Sequence, residues 1–234
     1  MALLNKLKKE LNSLKNPEQA EILQTFFKTK PGQYGEGDIF LGIKIPIQRK
    51  ICEKYNLTIA QIESLLNSKI HEYRLCALFI LIDKYRKLDS KLKKKIFNFY
   101  LKNASKINSW DLVDLSAPNI IGDYLLEKDK KILYKLAKSK NLWEKRIAIV
   151  STFIFIKNNH FKDTLKISEI LLNDNHDLIH KSVGWMLREV GKKREKSLKQ
   201  FLKKHYKNMP RTMLRYSIEK FPEKLRKNYL NNNI

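Results

Sequence analysis

The sequence is poor in helix-breaking residues and in cysteine. Only seven glycines and six prolines occur among its 234 residues, so few loops are expected. Two cysteines are too few for the disulfide framework of a small secreted domain. Because Cys52 and Cys76 both lie inside apolar helical patterns, we expect each to be a small buried hydrophobe, and neither to form a disulfide or to act as a nucleophile.

Long apolar runs are also missing. No stretch of roughly 18 apolar residues is present, so no transmembrane helix is expected. The N-terminal segment carries leucines at the spacing of an amphipathic helix, and it lacks the continuous apolar core and the small-residue cleavage site of a secretory signal. We therefore expect the protein to stay in the cytoplasm, without contact with membranes.

Acidic residues are scarce relative to basic ones. The chain holds 48 lysines and arginines against 24 aspartates and glutamates, which gives a formal net charge of +24 and a pI of about 9.9. Such an excess favours a polyanionic partner. Nucleic acid is favoured over a membrane, because the cations are spread along the chain and interleaved with aromatic residues. The alternative is a genome rich in A and T, which inflates the lysine content regardless of function but explains arginines at regular spacing less well.

Apolar helical segments recur along the chain at a regular spacing. Arg74, Trp110, Arg146 and Lys181 each lie near the start of such a segment, at successive separations of 36, 36 and 35 residues. A period in this range, without strand patterns between the units, is typical of stacked helical pairs. The sequence therefore predicts an all-α, HEAT-like helical-repeat solenoid that forms a single domain over residues 1–234.

The apolar periodicity also predicts the bounds of the helices, namely 2–15, 17–29, 46–55, 58–68, 70–87, 90–102, 109–126, 129–138, 142–158, 161–173, 177–191, 193–206, 210–220 and 222–231. The one long irregular segment, residues 28–46, contains four of the seven glycines and is expected to form an extended connector over the surface. Its Gly35-Glu36-Gly37 motif lacks a preceding strand and the spacing of a phosphate-binding loop, so no nucleotide site is predicted there.

Residues at equivalent positions of stacked repeats share one face of the array. One helical turn after Trp110 and Lys181 stand Asp114 and Trp185, and side chains four residues apart in a helix are neighbours on that face. We therefore expect Trp110, Asp114, Arg146, Lys181 and Trp185 to converge on one concave, basic, DNA-binding surface.

The carboxylate of Asp114 needs an explanation on a surface meant for phosphates. Two interpretations are left open: it takes part in chemistry beside the indole of Trp110, or it forms a structural pair with a cation of the next repeat such as Arg146. Asp111 is explained by the preference for acidic residues in the first turn of a helix. Trp143, near the start of its own helix, is expected to pack in the repeat core.

No metal site and no hydrolytic nucleophile is predicted. His176 and His180 are four residues apart on a helix, but the glutamate of the metalloprotease motif and a third ligand are missing. Both are therefore interpreted as histidines of a helix surface. The sequence also contains no nucleophile elbow and no cysteine–histidine signature.

The motifs WDxxD, WxxR and GWxLRE occur in this order, in the segments SWDLVDLSA (109–117), LWEKRIAIVST (142–152) and HKSVGWMLREVGK (180–192), and are followed by MPRTMLRYSIEKFPEKLR (209–226). Together these segments resemble the AlkD family, the bacterial HEAT-like-repeat alkylpurine DNA glycosylases. The resemblance implies that Asp114 is the catalytic carboxylate and that Trp110 and Trp185 are active-site tryptophans. It also implies that Arg146 is an arginine of the catalytic cleft and that Arg188 contacts DNA, each gripping a flanking phosphate.

The N-terminal part departs from the family pattern. Where the family has a DNA-facing tyrosine in the second helix this chain has Phe26, and Lys44 replaces a polar glutamine after FLGI. The full set of basic residues expected to contact DNA, apart from Arg146, is Lys44, Arg74, Lys145, Lys181, Arg188, Arg211 and Arg215.

The resemblance implies a monomeric glycosylase of base excision repair that acts on duplex DNA containing alkylated bases, without a metal or a small-molecule cofactor. It would hydrolyse the N-glycosidic bond of positively charged alkylpurines such as 3-methyladenine and 7-methylguanine, with Asp114 stabilising the oxocarbenium-like sugar. Two alternatives stay open. One is a non-catalytic relative that binds DNA structures with the same fold. The other is a helical-repeat protein scaffold, which the net charge and the two tryptophans, Trp110 and Trp185, disfavour.

Overall fold

Helices make up the regular structure of the computed structural model, which describes residues 2–234. In this range β-type pairing is limited to one isolated bridge between Ile39 and Ile70. The all-α prediction is thereby confirmed. The chain divides into two compact units, residues 1–112 and residues 113–234, and the single domain expected over the whole chain stays a prediction.

The described part of the first unit is built from α1 (Ala2–Asn12), α2 (Pro17–Phe26), α3 (Ile45–Cys52), α4 (Ile59–Leu66), α5 (His71–Arg86), α6 (Ser90–Lys102) and a 3₁₀ turn (Ala104–Lys106). Side chains just before three of these helices accept backbone N–H groups of the first turn, and at the start of α6 Asp89 accepts the N–H of Leu92 at 2.9 Å. The Asn16 side-chain oxygen accepts the N–H of Gln19 at 3.0 Å at the start of α2. At the start of α4, Thr58 and Gln61 each accept the other's backbone N–H, at 3.3 and 2.9 Å, in a capping box.

The core of the first unit lies around α5. Every residue of α5 from His71 to Ile82 is buried, and both α3 and α4 pack against this helix. Full burial of one leucine or isoleucine side chain stabilises a fold by about 1.5–3 kcal/mol. The helix is therefore a rigid support for the polar side chains of its first turn.

The two cysteines correct a prediction. Cys52 of α3 and Cys76 of α5 form a disulfide, with their Cα atoms 5.8 Å apart. Both are buried, as their apolar surroundings in the sequence indicated. A helical pattern places each cysteine on a buried face, but it does not show that the two faces meet. That contact arises because α3 packs against α5.

The connector over residues 27–44 is fixed to α5 by a buried carboxylate. Glu72 accepts the backbone N–H groups of Leu41 and Gly42, both at 2.9 Å, and that of Ile43 at 3.4 Å. Residues 40–43 are buried as well. This part of the connector is therefore packed into the unit, contrary to the expectation that it runs over the surface.

Gly42→Ala is expected to destabilise the first unit. Gly42 has a φ of +80°, and an added Cβ would lie 2.1 Å from the carbonyl oxygen of Asn16. The left-handed conformation costs about 1–2 kcal/mol for a residue with a Cβ, and the overlap with backbone adds to this. A total of about 2 kcal/mol corresponds to a fall of about 4–8 °C in Tm. Gly32→Ala is the control, because Gly32 has a φ of +76° and no atom near its Cβ position; equal losses in the two variants would contradict the argument.

The helix α7 (Trp110–Ala117) begins in the first unit and ends in the second. The second unit continues with a π-helical turn (Pro118–Gly122), α8 (Asp123–Leu125), α9 (Lys131–Ala137), α10 (Leu142–Ser151), α11 (Phe153–Lys157), α12 (Lys162–Ile170), α13 (Asp177–Lys193), α14 (Glu195–His205), α15 (Arg211–Ser217) and α16 (Glu223–Leu230).

The helices predicted over residues 109–126 and 142–158 are each divided. The first is interrupted by the π-helical turn Pro118–Gly122, whose proline has no N–H to donate to the helical ladder. The second is divided at Thr152, whose hydroxyl donates to the carbonyl oxygen of Ile149 at 2.7 Å. Such local side-chain bonds compete with the regular helical pattern.

The second unit is organised around α13, which packs against α10, α14 and α15. The backbones of α13 and α15 come close because residue 184 has no side chain: a Cβ on Gly184 would lie 2.5 Å from Cβ of Tyr216 and 2.6 Å from the carbonyl oxygen of Met213. Trp143 of α10 is buried, which confirms the core position expected for it.

Candidate functional site

The carboxylate of Asp114 is held by a fork of two hydrogen bonds from Arg146. Arg146 Nε donates to Oδ1 at 2.9 Å and Nη2 donates to Oδ2 at 2.7 Å. The side chain of Arg146 is 5% exposed and that of Asp114 is 20% exposed. The structural pair considered for Asp114 is therefore present. Its bidentate geometry fixes the direction of a carboxylate that is still open to solvent on one side.

The burial of Arg146 changes the role expected of it. Its Nη1 donates to the carbonyl oxygen of Leu178 at 2.6 Å, so each of its three guanidinium nitrogens has an acceptor inside the second unit. This arginine has no exposed donor face with which to grip a flanking phosphate, contrary to the expectation. Its observed contacts orient Asp114 instead.

The indole of Trp110 lies one helical turn before Asp114 in α7 and packs on phenylalanines of the first unit. Its ring is nearly parallel to that of Phe27, with centroids 5.2 Å apart and an interplanar angle of 8°. Phe26 meets it edge-on at 5.9 Å. Trp110 is half-buried and Phe26 is 61% exposed, so Phe26 presents an apolar ring to solvent.

Phe27 connects Trp110 to a histidine. Phe27 stacks on Phe40 at 5.0 Å, and Phe40 stacks on the imidazole of His71 at 4.6 Å with an interplanar angle of 21°. We call Trp110, Phe27, Phe40 and His71 the aromatic stack. It brings an imidazole that can carry charge into contact with Phe40 and Phe27, whose ring faces attract cations.

His71 also belongs to a buried row of charges. Its Nε2 lies 2.8 Å from Oδ2 of Asp111 and its Nδ1 lies 3.4 Å from Oδ2 of Asp38, which also accepts a hydrogen bond from Nη2 of Arg74. We call Arg74, Asp38, His71 and Asp111 the buried charge row. Three elements meet in it, since Asp38 is in the connector, His71 and Arg74 open α5, and Asp111 follows Trp110 in α7.

The charges of this row shift the pKa values of His71 and Asp111. Burial opposes the charged form of His71, but the charge and hydrogen bond of Asp111, together with Asp38, outweigh it and raise the pKa of His71 to about 9. Burial likewise favours the neutral form of Asp111, yet His71 holds the pKa of Asp111 below its ordinary value. At neutral pH both side chains are therefore charged.

Arg74 does not take the place expected of it. The repeat spacing put it with Trp110 and Arg146 on a DNA-contacting face, but its side chain is buried. Besides Asp38, its guanidinium donates to the carbonyl oxygen of Ser68 at 2.8 Å. Arg74 is thus a structural cation of the first unit, and burial removes it from the residues that can reach a phosphate.

Trp185 lies on α13, next to the close approach at Gly184. Its ring is tilted by 40° against that of Phe153, with centroids 5.6 Å apart. Nζ of Lys157 lies 4.7 Å from the centroid of the same phenylalanine ring. Trp185 is half-buried, so its indole is supported from one side and accessible from another.

The other basic residues that the sequence predicted to contact DNA fall into two groups. Lys145 is paired with Asp174 and Arg188 with Glu219, and all but about a fifth of each of these two basic side chains is buried. The others extend into solvent to a larger degree: Lys44, Lys181, Arg211 and Arg215. Lys181 forms an i,i+4 pair with Asp177 at 2.6 Å, which solvent screens because both side chains are about half exposed.

The two histidines of α13 have local structural contacts. Nδ1 of His176 accepts the N–H of Leu178 at 3.1 Å, which makes His176 the N-cap of the helix. Nε2 of His180 lies beside the carbonyl oxygen of Asp174. Within residues 2–234, no group of three or more His, Cys, Asp and Glu side chains is arranged to hold a metal ion. In the same range, no helix combines the length and the apolar character needed to cross a membrane.

Comparison with known proteins gives one family. The model of the DNA alkylation repair enzyme family matches residues 7–221. The chain is similar in fold to a structure described as "Predicted DNA alkylation repair enzyme from Enterococcus faecalis", with a TM-score of 0.69 and 16% identity over 89% of this chain and 97% of that chain. Two structures from Streptococcus mutans also match. They are smu.31 of strain UA159, with a TM-score of 0.54 and 19% identity over 94% and 100% of the two chains, and AlkD2, with a TM-score of 0.54 and 20% identity over 94% and 97%. A search of the curated proteins finds no match.

Proposed function

The chain belongs to the DNA alkylation repair enzyme family, and from this membership we propose that it is a DNA glycosylase that releases positively charged alkylpurines from duplex DNA. The observation that carries the proposal is the carboxylate of Asp114, which Arg146 holds in one direction at 2.9 and 2.7 Å while part of it stays open to solvent. A carboxylate so oriented can stabilise a developing positive charge without reorganising during the reaction.

Release of these bases requires little from the protein beyond an oriented carboxylate. In 3-methyladenine or 7-methylguanine the base already carries a positive charge. When the C1′–N bond breaks, both electrons go to the base and neutralise it, so no strong general acid is needed. The sugar becomes an oxocarbenium-like cation, which the charge of Asp114 stabilises. A water molecule then forms a bond to C1′ and gives up a proton, for which Asp114 is the acceptor we propose.

The tryptophans supply attraction for cations. An indole face attracts a positive charge by about 0.5–2 kcal/mol, depending on how far the site is desolvated. Trp110 precedes Asp114 by one turn of α7, and its ring is held against Phe27 at 5.2 Å. Trp185 is held against Phe153. Because packing fixes both rings, neither has to lose much conformational entropy when it meets the lesion or the sugar.

Release of methylated bases is the experiment that tests this function. Duplex DNA treated with a methylating agent should lose 3-methyladenine and 7-methylguanine when incubated with excess protein. A folded wild-type protein that binds DNA and releases no base would instead identify the second candidate, a relative that binds DNA structures without catalysis. The observation that favours this second candidate is the exposed Phe26, at the position where the resemblance implies a DNA-facing tyrosine.

DNA binding should weaken as salt increases. Each phosphate neutralised on duplex DNA contributes a slope of about 0.9 to the fall of log affinity with log salt. If the four more exposed cations, Lys44, Lys181, Arg211 and Arg215, each neutralise one phosphate, affinity should fall about 10²-fold between 50 and 200 mM salt. Fluorescence anisotropy of a labelled duplex measures this, and an affinity that is independent of salt would argue against phosphate contacts.

Base release should survive chelators. The mechanism proposed for Asp114 uses no metal, because the charge on the leaving base replaces the activation that a metal would give. We therefore expect the same rate with and without EDTA. Loss of activity in EDTA, restored by one divalent metal, would show that a metal site takes part.

A further inference from the structure

His71 is a buried titratable side chain of the aromatic stack, and the proposed chemistry does not use it. We infer that His71 is a positioning residue for Trp110: through Asp111 and through the aromatic stack it holds the indole at the start of the helix that carries Asp114. The inference rests on the proposed function, because it assigns His71 a part in preparing the base-release site.

Two independent routes lead from the imidazole to the indole. One is covalent in its last step: Nε2 of His71 binds Asp111 at 2.8 Å, and Asp111 is the chain neighbour of Trp110. The other is a series of ring contacts, from His71 through Phe40 and Phe27 to Trp110, at 4.6, 5.0 and 5.2 Å. A displacement of the imidazole therefore acts on Trp110 both through its backbone and through its ring face.

The protonation of His71 determines whether both of its ring nitrogens can donate a hydrogen bond. An imidazolium donates from Nδ1 and Nε2, so it can bind Asp38 and Asp111 together, whereas a neutral imidazole has one donor. Loss of the proton removes one of these two hydrogen bonds, while Asp38 keeps its hydrogen bond from Arg74, and it also removes the cation from the aromatic stack. Nη1 and Nη2 of Arg74 donate to Ser68 and Asp38, and neither is bound to Asp111.

Stability alone does not account for the buried charge row. An apolar set of the same volume often stabilises a fold as well as a buried ion network does, because desolvation offsets most of the attraction between the charges. Unlike an apolar set, the buried charge row joins the connector, α5 and α7 through hydrogen bonds whose angles are restricted. These bonds fix the orientation of the three elements. This is a property that an active-site tryptophan needs.

The pH at which the arrangement changes follows from the groups around His71. Asp111 and Asp38 face it with negative charge and Arg74 with positive charge. The pKa of His71 in the folded protein, about 9, lies above its ordinary value of 6.5. The stabilisation from its charge is thus fully present below about pH 6.5 and is lost as pH rises through about 9.

The test uses the whole 234-residue chain with its three tryptophans replaced by 5-fluorotryptophan, which gives one ¹⁹F resonance for each. Trp110→Phe identifies the resonance of Trp110. In the wild type that resonance should shift with a midpoint near pH 9, while the resonance of Trp143 does not. In His71→Gln the Trp110 resonance should be displaced at pH 7 and should no longer titrate.

Base release supplies the second measurement. His71→Gln should bind DNA with near wild-type affinity and release base about 10-fold more slowly or worse at saturating protein, because a catalytic group is displaced by a fraction of an ångström. His205→Gln is the matched control, since His205 also lies beside a carboxylate, Glu169, and an aromatic ring, Phe201; its Trp110 resonance and its rate should match the wild type.

The possible failures are distinguishable. If the wild type releases no base, the proposed function fails, and the ¹⁹F titration still decides whether His71 positions Trp110. A wild-type Trp110 resonance that stays constant from pH 7 to 10 overturns the inference, as does a folded His71→Gln protein with wild-type release. If His71→Gln does not fold, Asp111→Asn takes its place, with the same displacement of the resonance expected.

Discussion

Asp114→Asn is expected to lower the single-turnover rate of base release by about 10²-fold or more, and to leave DNA affinity unchanged or slightly higher. The substitution keeps the shape of the side chain and removes the charge that stabilises the oxocarbenium-like sugar, which is worth about 2.7–4 kcal/mol in comparable sites. Affinity should not fall, because a negative charge has left a surface that faces phosphates.

Stability has to be measured on the same variant, because Asp114 also pairs with the buried Arg146. An asparagine oxygen still accepts one of the two hydrogen bonds, so the variant should stay folded with a lower Tm. Rates are therefore compared at a temperature well below both Tm values. Asp163→Asn is the control: its carboxylate also accepts a hydrogen bond in the second unit, from Tyr134 at 2.6 Å, and its rate should match the wild type.

The outcome separates the two interpretations of Asp114. If this residue only braces Arg146, excision and binding should weaken together and in proportion to the loss of stability. A folded Asp114→Asn protein with a rate near that of the wild type would remove the carboxylate from the mechanism.

Regular spacing is the part of this structure that the sequence predicts well. The 36-residue interval placed Trp110 and Arg146 at equivalent positions, and the next helical turn after Trp110 brought Asp114 within reach of Arg146. The pair forms because stacked helices repeat their geometry, so a periodic signal in the sequence becomes a contact in space. The all-α class follows from the same periodicity.

The 36-residue spacing gave a wrong prediction for Arg74, whose partner belongs to the irregular connector. Arg74 shares the spacing, yet it is buried against Asp38 of the connector. The connector has no period from which its packing could be derived, and Glu72 fixes it by bonds to backbone N–H groups, which any sequence offers. His71 was missed for the same reason: its partners are 33 and 40 residues away, and neither separation matches the repeat.

Local chemistry also overrides periodicity. Pro118 lies inside an apolar helical pattern, but it has no N–H to donate, and a π-helical turn begins at this residue after α7. The apolar pattern alone does not predict this turn. The disulfide between Cys52 and Cys76 is a contact between two helices, and two separate buried patterns contain no information on whether they touch.

Arg146→Met is expected to reduce both stability and base release. Methionine keeps much of the aliphatic volume and removes every donor, so the carboxylate of Asp114 loses both hydrogen bonds from Arg146. Breaking a buried ion pair from one side costs about 3–5 kcal/mol, and because Asp114 is 20% exposed we expect the lower end, with a fall of about 6–12 °C in Tm. Arg146→Lys should recover part of the stability and little of the rate, because an ammonium group cannot form the bidentate fork that directs the carboxylate.

The double variant Asp114→Asn with Arg146→Met decides whether the two residues act as one unit. With no charge left unpaired, its Tm should lie above that of Arg146→Met alone, although it carries one more substitution. Its base release should be no better than that of Asp114→Asn, because the stabilising carboxylate is absent in both. Losses in Tm that simply add would show that Arg146 stabilises the fold through its bond to Leu178 and not through Asp114, and the orienting role of Arg146 would then have to be abandoned.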